Sequence, residues 1–326
     1  MKVVKKLLRN PTSLAGILIL LGFILIAIFA PTIAPPPENA RNPYMIPRDG
    51  FATEPELPSD EHIMGTTEGQ YDIFYGVVWG ARTAFRIGVV ITFITVIIGL
   101  AVGSLAAFYG GWFDEVLMRV TEIFQAFPFL LAAITLTAVL PTIYGRGEAG
   151  VLLISAKILA VFTFGVNPTE NIDPVRMTIL TGMLAIIIFG WMTYARVIRG
   201  NILTVKESEY TMAARTVGAS DMRILFRHMI PNAVFPVLVL ASMDIGTYVL
   251  TFAALSFLGL GAQRGYADWG QMISFARNWI PSLATHWHIV VYPGLAIVLF
   301  VLSWNLVGDA LRDILDPRMR GKGGGL

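Results

Sequence analysis

The chain has 326 residues, of which 55% are hydrophobic and only 14% are charged. Soluble domains carry about 25% charged residues, so this composition indicates a protein that lies mostly in lipid. The net charge of +2 is too small to suggest a nucleic-acid partner, and because there is no cysteine, disulfides, thiolate metal sites and cysteine nucleophiles are excluded.

Long apolar runs dominate the chain. A helix needs about 20 apolar residues to cross a bilayer core. Six runs meet or approach this length: Ser13–Ile33, Ile87–Phe108, Ile123–Ile143, Met177–Ala195, Asn232–Leu260 and Ile289–Leu306. We therefore expect an all-α, multi-pass protein of the cell membrane with six transmembrane helices.

The first run follows four basic residues and could be mistaken for a signal peptide. Its apolar core is long, however, and Pro31 stands where a cleavage site would be needed, so we interpret it as a retained anchor. We expect this first helix to be peripheral.

Lys and Arg are unequally divided between the two sides of this arrangement. With the N-terminus inside, fifteen fall on the cytoplasmic side and nine outside, which favours cytoplasmic N- and C-termini. The predicted order is a cytoplasmic tail (1–12), the first transmembrane helix (13–33), an extracytoplasmic segment (34–82), a membrane core (83–310) and a cytoplasmic tail (311–326). Seven prolines make segment 34–82 an extended or small folded cap.

The segment 142–176 is predicted to be an extracytoplasmic insertion. Its apolar stretch 151–166 is short and has Lys157 at its centre, and a lysine at mid-membrane costs roughly 3 kcal/mol or more. We expect an interfacial or re-entrant helix there. The alternative, a seventh span, would place the arginine-rich loop 196–228 outside, against the charge bias.

The polar loop at 201–231 contains the sequence EYTMAARTVGASDMRILFRHMIPN. Ser208 is a candidate N-cap, and Glu209 suits the first turn of a helix of about nine residues. An apolar stripe at helical spacing comprises Tyr210, Ala213, Ala214 and Val217. Gly218 is predicted to be a left-handed C-cap, after which Ser220 and Asp221 restart a helix that continues into the fifth span. From spacing alone, this helix could rest on lipid headgroups or dock against another protein.

Six motifs in order resemble the dipeptide/oligopeptide/nickel group of ATP-binding-cassette (ABC) importer permeases, C-type subunit. The matching stretches are HIMGTTEGQYDIFYGVVWGARTAFRIG, AFYGGWFDEVLMRVTEIFQAFP, WMTYARVIRG, the EAA-type loop YTMAARTVGAS…RHMIPN, LSFLGLG and NLVGDALRDILDPR. The resemblance covers most of the chain. It implies the type I permease fold and half of a pathway for peptides, oligosaccharides or nickel complexes.

The resemblance also implies partners and a coupling loop at 201–231. The partners are a second permease chain, two ATPase subunits that use ATP and Mg, and an extracytoplasmic solute-binding protein. The implied ATPase-coupling residues are Glu209, Tyr210, Ala213, Ala214, Arg215, Gly218, Ala219 and Asp221. This sequence departs from the family at Met212, where the family has glutamate, at Gln70 and Tyr71, and at Phe252. The 142–176 insertion is also longer than usual.

The sequence contains no motif for chemistry of its own. It has no GxxxxGK[ST], HExxH or GxSxG pattern, so we expect no catalytic residue, no metal site and no cofactor bound by this chain. Asp244 is the only charged residue in the six apolar runs. It is a candidate for the translocation path or for a structural hydrogen bond. Gly99 and Gly103 are interpreted as a helix-packing face. An ATP-independent secondary transporter or channel is the alternative function.

Overall fold

The computed structural model describes residues 10–145, 150–165, 167 and 172–315. In this part of the chain the structure is helical, with three isolated β-bridges. The helices are α1 (Pro11–Ile33), α2 (Ile73–Tyr109), α3 (Gly111–Gln125), α4 (Phe129–Gly145), α5 (Gly150–Phe164), α6 (Pro174–Lys206), α7 (Glu209–Thr216), α8 (Asp221–Arg223), α9 (Ile230–Ala233), α10 (Phe235–Phe257), α11 (Trp269–Ser274) and α12 (His288–Leu315). A π-helical turn, Ile224–Met229, joins α8 to α9, and a 3₁₀ turn, Phe275–Ser282, follows α11. Most of the two predicted tails, 1–12 and 311–326, lies outside the described residues.

Five helices of the described chain are long and apolar enough to cross a membrane. The third predicted run, Ile123–Ile143, is broken: α3 and α4 meet at an angle of 83° and together make the sixth candidate. Pro128 lies at this break, and a proline disfavours helical geometry in the residue before it. The all-helical class is therefore confirmed, with five candidate spans in the described chain and a sixth if the bent pair is one span.

Helix α1 lies at the periphery, as predicted. Its N-terminus is capped by Asn10, whose side chain accepts a hydrogen bond from the Thr12 N–H. It packs against α12 and α2. Its other faces leave large apolar side chains exposed, among them Leu18, Ile28 and Phe29, as lipid or another membrane protein would require.

Helices α2 and α6 form the most extensive helix pair of the described chain, and glycines allow their close approach. A Cβ added at Gly99 would lie 2.7 Å from the Trp191 carbonyl oxygen, and one added at Gly103 would overlap the Ala195 carbonyl oxygen. Real side chains do not tolerate such separations. The packing role that we predicted for these two glycines is confirmed.

The proline-rich segment folds into a compact cap at the outer end of α2, so the second of the two predicted forms is correct. Tyr75 donates its hydroxyl to the Pro43 carbonyl oxygen, and the Trp79 indole donates to the Ala34 carbonyl oxygen. Helix α2 begins at Ile73, ten residues before the predicted start of the membrane core at 83. The helix starts there because the Asp72 side chain accepts a hydrogen bond from the Tyr75 N–H and so forms its N-cap. The first turns of α2 therefore belong to the compact cap.

The described part of the 142–176 insertion contains the helix that we predicted at 151–166. Helix α5 has 15 residues, packs against α6 and α2, and buries Ala156, Leu159 and Ala160. Lys157 is half-buried on it. Since 15 residues are too few for a span, a seventh crossing has no support, and an interfacial or re-entrant position stays a prediction.

Candidate functional site

The loop that follows α6 carries a short helix at the position expected from the sequence. Helix α7 has eight residues, Glu209–Thr216. Ser208 has the extended backbone of an N-cap, but its side chain does not cap the helix. It donates instead to the Val205 carbonyl oxygen at 2.6 Å, as does the Thr211 hydroxyl at 3.0 Å. These two bonds hold the start of α7 against the end of α6.

The end of α7 is a left-handed turn at Gly218. This glycine has φ +79°, and the N–H of Ala219 donates to the Ala214 carbonyl oxygen at 3.1 Å. L-residues with side chains rarely adopt this conformation. The predicted C-cap and the predicted helix restart at Asp221 are both found. The second helix reaches α10 through a π turn rather than as a regular helix.

The predicted apolar stripe of α7 is only partly exposed. Ala214 is buried with Thr211 against the chain itself, so Ala214 is not available to another protein. The outward face combines Tyr210 (45% exposed) and Val217 (83% exposed) with residues from both sides of the loop. We define the loop surface as the exposed large apolar residues Tyr210, Met212, Val217, Met222 and Phe226. Of the other predicted coupling residues, Glu209, Ala213, Arg215, Gly218 and Asp221 are exposed and Ala219 is half-buried.

Two contacts join the base of α6 to the elbow between α2 and α3. Arg199 forms a bidentate ion pair with Asp114, with both N···O distances at 2.6 Å. Lys206 donates to the carbonyl oxygens of Ala107 and Phe108, at 3.1 and 2.8 Å, where α2 ends. A bidentate pair fixes orientation as well as distance, so the helix that leads into the loop also holds the α2–α3 elbow.

A cavity of about 420 Å³ lies beside the α3–α4 bend. Helices α6 and α10 complete its wall, which contains Phe124, Gln125, Phe127, Pro128, Phe129, Phe189, Gly190, Met192, Thr193, Leu240, Asp244, Thr247 and Tyr248. The wall is mostly apolar, with five aromatic side chains and a few polar groups, a composition typical of small-molecule sites.

Asp244 both lines this cavity and accepts a hydrogen bond. The Tyr194 hydroxyl donates to its Oδ2 at 2.6 Å. The two roles that we considered for Asp244, a structural hydrogen bond and a place on the path, are therefore compatible. The residues that the structure brings together here were not evident from the sequence, since Tyr194 and Asp244 lie fifty positions apart.

A second, more polar cavity of about 610 Å³ opens at the end of the molecule that carries the cap. Glu68 lines this cavity and accepts hydrogen bonds from Arg264 at 2.8 Å and Asn278 at 2.7 Å. Burial acts to raise the pKa of Glu68, but these two donors outweigh it and hold the pKa below its ordinary value. The carboxylate therefore stays ionised and ties the cap to the segment after α10.

Among the described residues, no group of three or more His, Asp or Glu side chains is placed to hold a metal ion. His286 and His288 are buried, and the Nε2 of His288 lies 3.2 Å from the Thr66 carbonyl oxygen. His288 thus packs against the cap, whereas His286 lies against the Trp279 ring, with ring centres 4.7 Å apart.

Comparison with known proteins agrees with this architecture. Residues 99–321 match the family of binding-protein-dependent transport system inner membrane components, and residues 2–51 match the N-terminal transmembrane domain of oligopeptide transport permease C. The chain is 35% identical over 317 residues to the dipeptide transport system permease protein DppC of Alkalihalophilus pseudofirmus. That alignment covers 97% of this chain and 89% of DppC. It is 34% identical over 316 residues to the glutathione transport system permease protein GsiD of Pectobacterium atrosepticum, covering 97% and 90%. GsiD of Escherichia coli O6:K15:H31 is 36% identical over 313 residues, covering 96% and 88%. The chain belongs to the family of binding-protein-dependent transport system inner membrane components, and is a multi-pass ABC-importer permease.

Proposed function

We propose that this permease forms half of the path by which an ABC importer takes up small peptides. The relatives are named for dipeptide and glutathione transport, and both solutes are small peptides. An aromatic cavity of about 420 Å³ with one carboxylate and one amide is large enough for such a solute, since small-molecule sites begin at about 300 Å³. Oligosaccharides and nickel complexes are the competing solutes that an uptake assay must include.

The observation that carries this proposal is the continuity of α6 from the cavity to the loop. Met192 and Thr193 of α6 line the cavity, Arg199 and Lys206 hold the α2–α3 elbow further along, and α7 follows directly. A displacement of α7 would therefore move α6 and the elbow together, and would change the shape of the cavity wall between them.

The loop surface is the docking site for an ATPase subunit in this scheme. Five large apolar side chains are exposed there, and apolar exposure at a polar loop indicates a partner. Arg215, Arg223 and Arg227 are exposed in the same loop and would pair with acidic groups of that partner. Two ATPase subunits would bind ATP and Mg, so this chain supplies no group to hydrolysis.

A second, similar permease chain would complete the path. Helix α3 and the bend expose Trp112 (77%), Ile123 (63%) and Phe127 (59%). A partner chain would cover these residues and close the open side of the cavity. On the outer side, the proposed docking surfaces for a solute-binding protein are segments 34–82 and 142–176.

Reconstitution tests the proposed function. The complex would be placed in liposomes with its binding protein, and uptake of a labelled dipeptide, a labelled oligosaccharide and a nickel complex would be followed with ATP or a non-hydrolysable analogue inside. We expect ATP-dependent uptake of the peptide. Uptake that proceeds equally without ATP would contradict the proposal and favour a secondary transporter.

A variant pair connects that assay to the loop. Ala213→Arg places a bulky cation on the exposed side of α7 and is expected to abolish ATP-dependent uptake. Thr204→Arg makes the same change at an exposed position of α6 before the loop and is expected to retain most of it. Equal loss in both variants would mean that α7 has no special role.

A further inference from the structure

We propose that a small pocket at the outer end of the molecule binds a single oxyanion group, phosphate or carboxylate. This arginine pocket has a volume of about 140 Å³. Its lining consists of Arg41, Asn42, Pro43, Tyr44, Arg86, Phe164, Arg176 and Tyr266. It is separate from the aromatic cavity beside the α3–α4 bend, with which it shares no residue.

Three arginines from three distant parts of the chain line this pocket. Arg41 comes from the cap, Arg86 from α2, and Arg176 from the first turn of α6. Three separate elements thus bring like charges together, although like charges repel. This convergence is what a site for a negatively charged group requires.

Aromatic rings fix the positions of two of the arginines. The guanidinium carbon of Arg86 lies 4.6 Å from the centre of the Tyr44 ring and 5.3 Å from that of Phe164. Arg176 lies over the same Phe164 ring at 5.7 Å. Arg86 also donates to the Tyr44 hydroxyl at 2.7 Å. The hydrogen bond to Tyr44 uses one N–H of Arg86, and since a guanidinium group carries five N–H donors, others are left for a ligand.

Carboxylates in the described part of the chain neutralise only one of these charges. Arg176 pairs with Asp173 at 3.1 Å, on an exposed face of both side chains. Arg41 and Arg86 form no ion pair with any described residue within 4.0 Å. A bound oxyanion would offset the charges of these arginines and accept paired N–H bonds, for which guanidinium is well suited.

The size of the pocket limits what enters it. A volume of about 140 Å³ admits one phosphate or carboxylate with a few waters, and is below the roughly 300 Å³ at which sites for whole small molecules begin. The ligand is therefore a soluble oxyanion or the head of a larger molecule, such as a phospholipid whose tails stay in the membrane. Both sources share the same recognition chemistry.

Thermal unfolding of the purified, delipidated complex tests this site with inorganic phosphate as the probe. Phosphate would be titrated from 1 to 50 mM at constant ionic strength. We expect a saturable rise in the unfolding temperature that Arg86→Gln and Arg176→Gln each reduce by at least half and that the double variant loses. Arg48→Gln removes an exposed arginine at the outer end that lies over Phe51 at 4.0 Å, outside the pocket, and should keep the full rise.

Short-chain phosphatidic acid, tested in the same way, distinguishes the two sources. Saturation at a concentration at least tenfold below that of phosphate, again dependent on Arg86 and Arg176, identifies a lipid headgroup. Equal or weaker action than phosphate identifies a soluble anion. No saturable rise with either probe, or the same rise in the double variant, would overturn the proposal. Arg86→Lys keeps the charge without the planar fork, and serves as the test if Arg86→Gln does not assemble. These readouts do not involve transport, so they stand apart from the proposed function.

Discussion

The contact between α2 and α6 leads to a quantitative prediction for Gly103→Ala. The added Cβ would overlap the Ala195 carbonyl oxygen, lie 2.8 Å from the Ala195 carbonyl carbon and lie 2.5 Å from the Ile198 Cγ2. Two of these three atoms belong to the backbone of α6, so a rotamer change cannot relieve the contact. The two helices must separate, and overpacking of this kind costs about 1–3 kcal/mol.

Gly200→Ala is the matched control on the same helix pair. Gly200 lies in α6 and is exposed, and a Cβ there meets nothing within 4 Å. Alanine is a better helix former than glycine by up to about 1 kcal/mol, so this variant should be as stable as the parent or more stable.

Thermal stability of the detergent-solubilised complex, followed by size-exclusion chromatography after heating, measures both effects. A cost of about 2 kcal/mol corresponds to a fall of about 5 °C in the melting temperature. We expect this fall for Gly103→Ala and none for Gly200→Ala. Equal stability of the two variants would refute the close α2–α6 packing, and with it the path from cavity to loop that depends on α6.

Three further predictions concern the polar contacts. Asp114→Asn weakens the ion pair with Arg199 and should lower peptide uptake per ATP hydrolysed at least threefold while ATPase activity persists. Parallel assays of uptake and phosphate release would measure this ratio. An unchanged ratio would exclude a coupling role for the ion pair. Tyr194→Phe removes the hydrogen bond to the Asp244 carboxylate, and such a bond is worth about 1.5–3 kcal/mol. It should lower the melting temperature more than Tyr248→Phe, because the Tyr248 hydroxyl donates to the Gly190 carbonyl oxygen over a longer distance of 3.3 Å. The reverse order would contradict the bond between Tyr194 and Asp244. At His62, burial acts to lower the pKa, but the hydrogen bond to Asp72 and the charges of Asp72 and Asp49 raise it above 6.5. Protonated His62 therefore stabilises the cap fully below pH 6.5, and this stabilisation is lost as the pH rises through the raised pKa of His62. Hydrogen exchange in the cap should be faster at pH 8 than at pH 6 after correction for intrinsic rates, and this difference should vanish in His62→Gln.

Local sequence signals predicted those parts of the fold that local physics determines. The six apolar runs, the left-handed turn at Gly218 and the packing glycines of α2 follow from hydrophobic length, backbone freedom and side-chain size, which are properties of short stretches. The break at Pro128 was equally local, because a proline within an apolar run is a signal for a bend, but the run was interpreted as one span.

Contacts between distant segments could not be obtained in this way. Asp114 and Arg199 lie 85 positions apart, and Tyr194 and Asp244 lie 50 apart. No periodicity connects such pairs, since only the packing of α6 against α3 and α10 places them within hydrogen-bond distance. The partial burial of the α7 stripe has a related reason: helical spacing predicts which residues share a face, but not that the packing of the chain buries Ala214.

Site-specific cross-linking tests the central claim, that the loop surface couples this permease to an ATPase, most directly. The chain contains no cysteine, so a single introduced cysteine is unique in it. Tyr210→Cys lies on the loop surface, and Phe51→Cys, 78% exposed in the cap, is the control at the other end of the molecule. After treatment of native membranes with a short cysteine-to-lysine cross-linker, we expect mass spectrometry to identify a Walker-motif ATPase joined to Tyr210→Cys and none joined to Phe51→Cys. An intact, transport-active complex in which Tyr210→Cys captures no ATPase, or in which both positions capture it equally, would contradict the account.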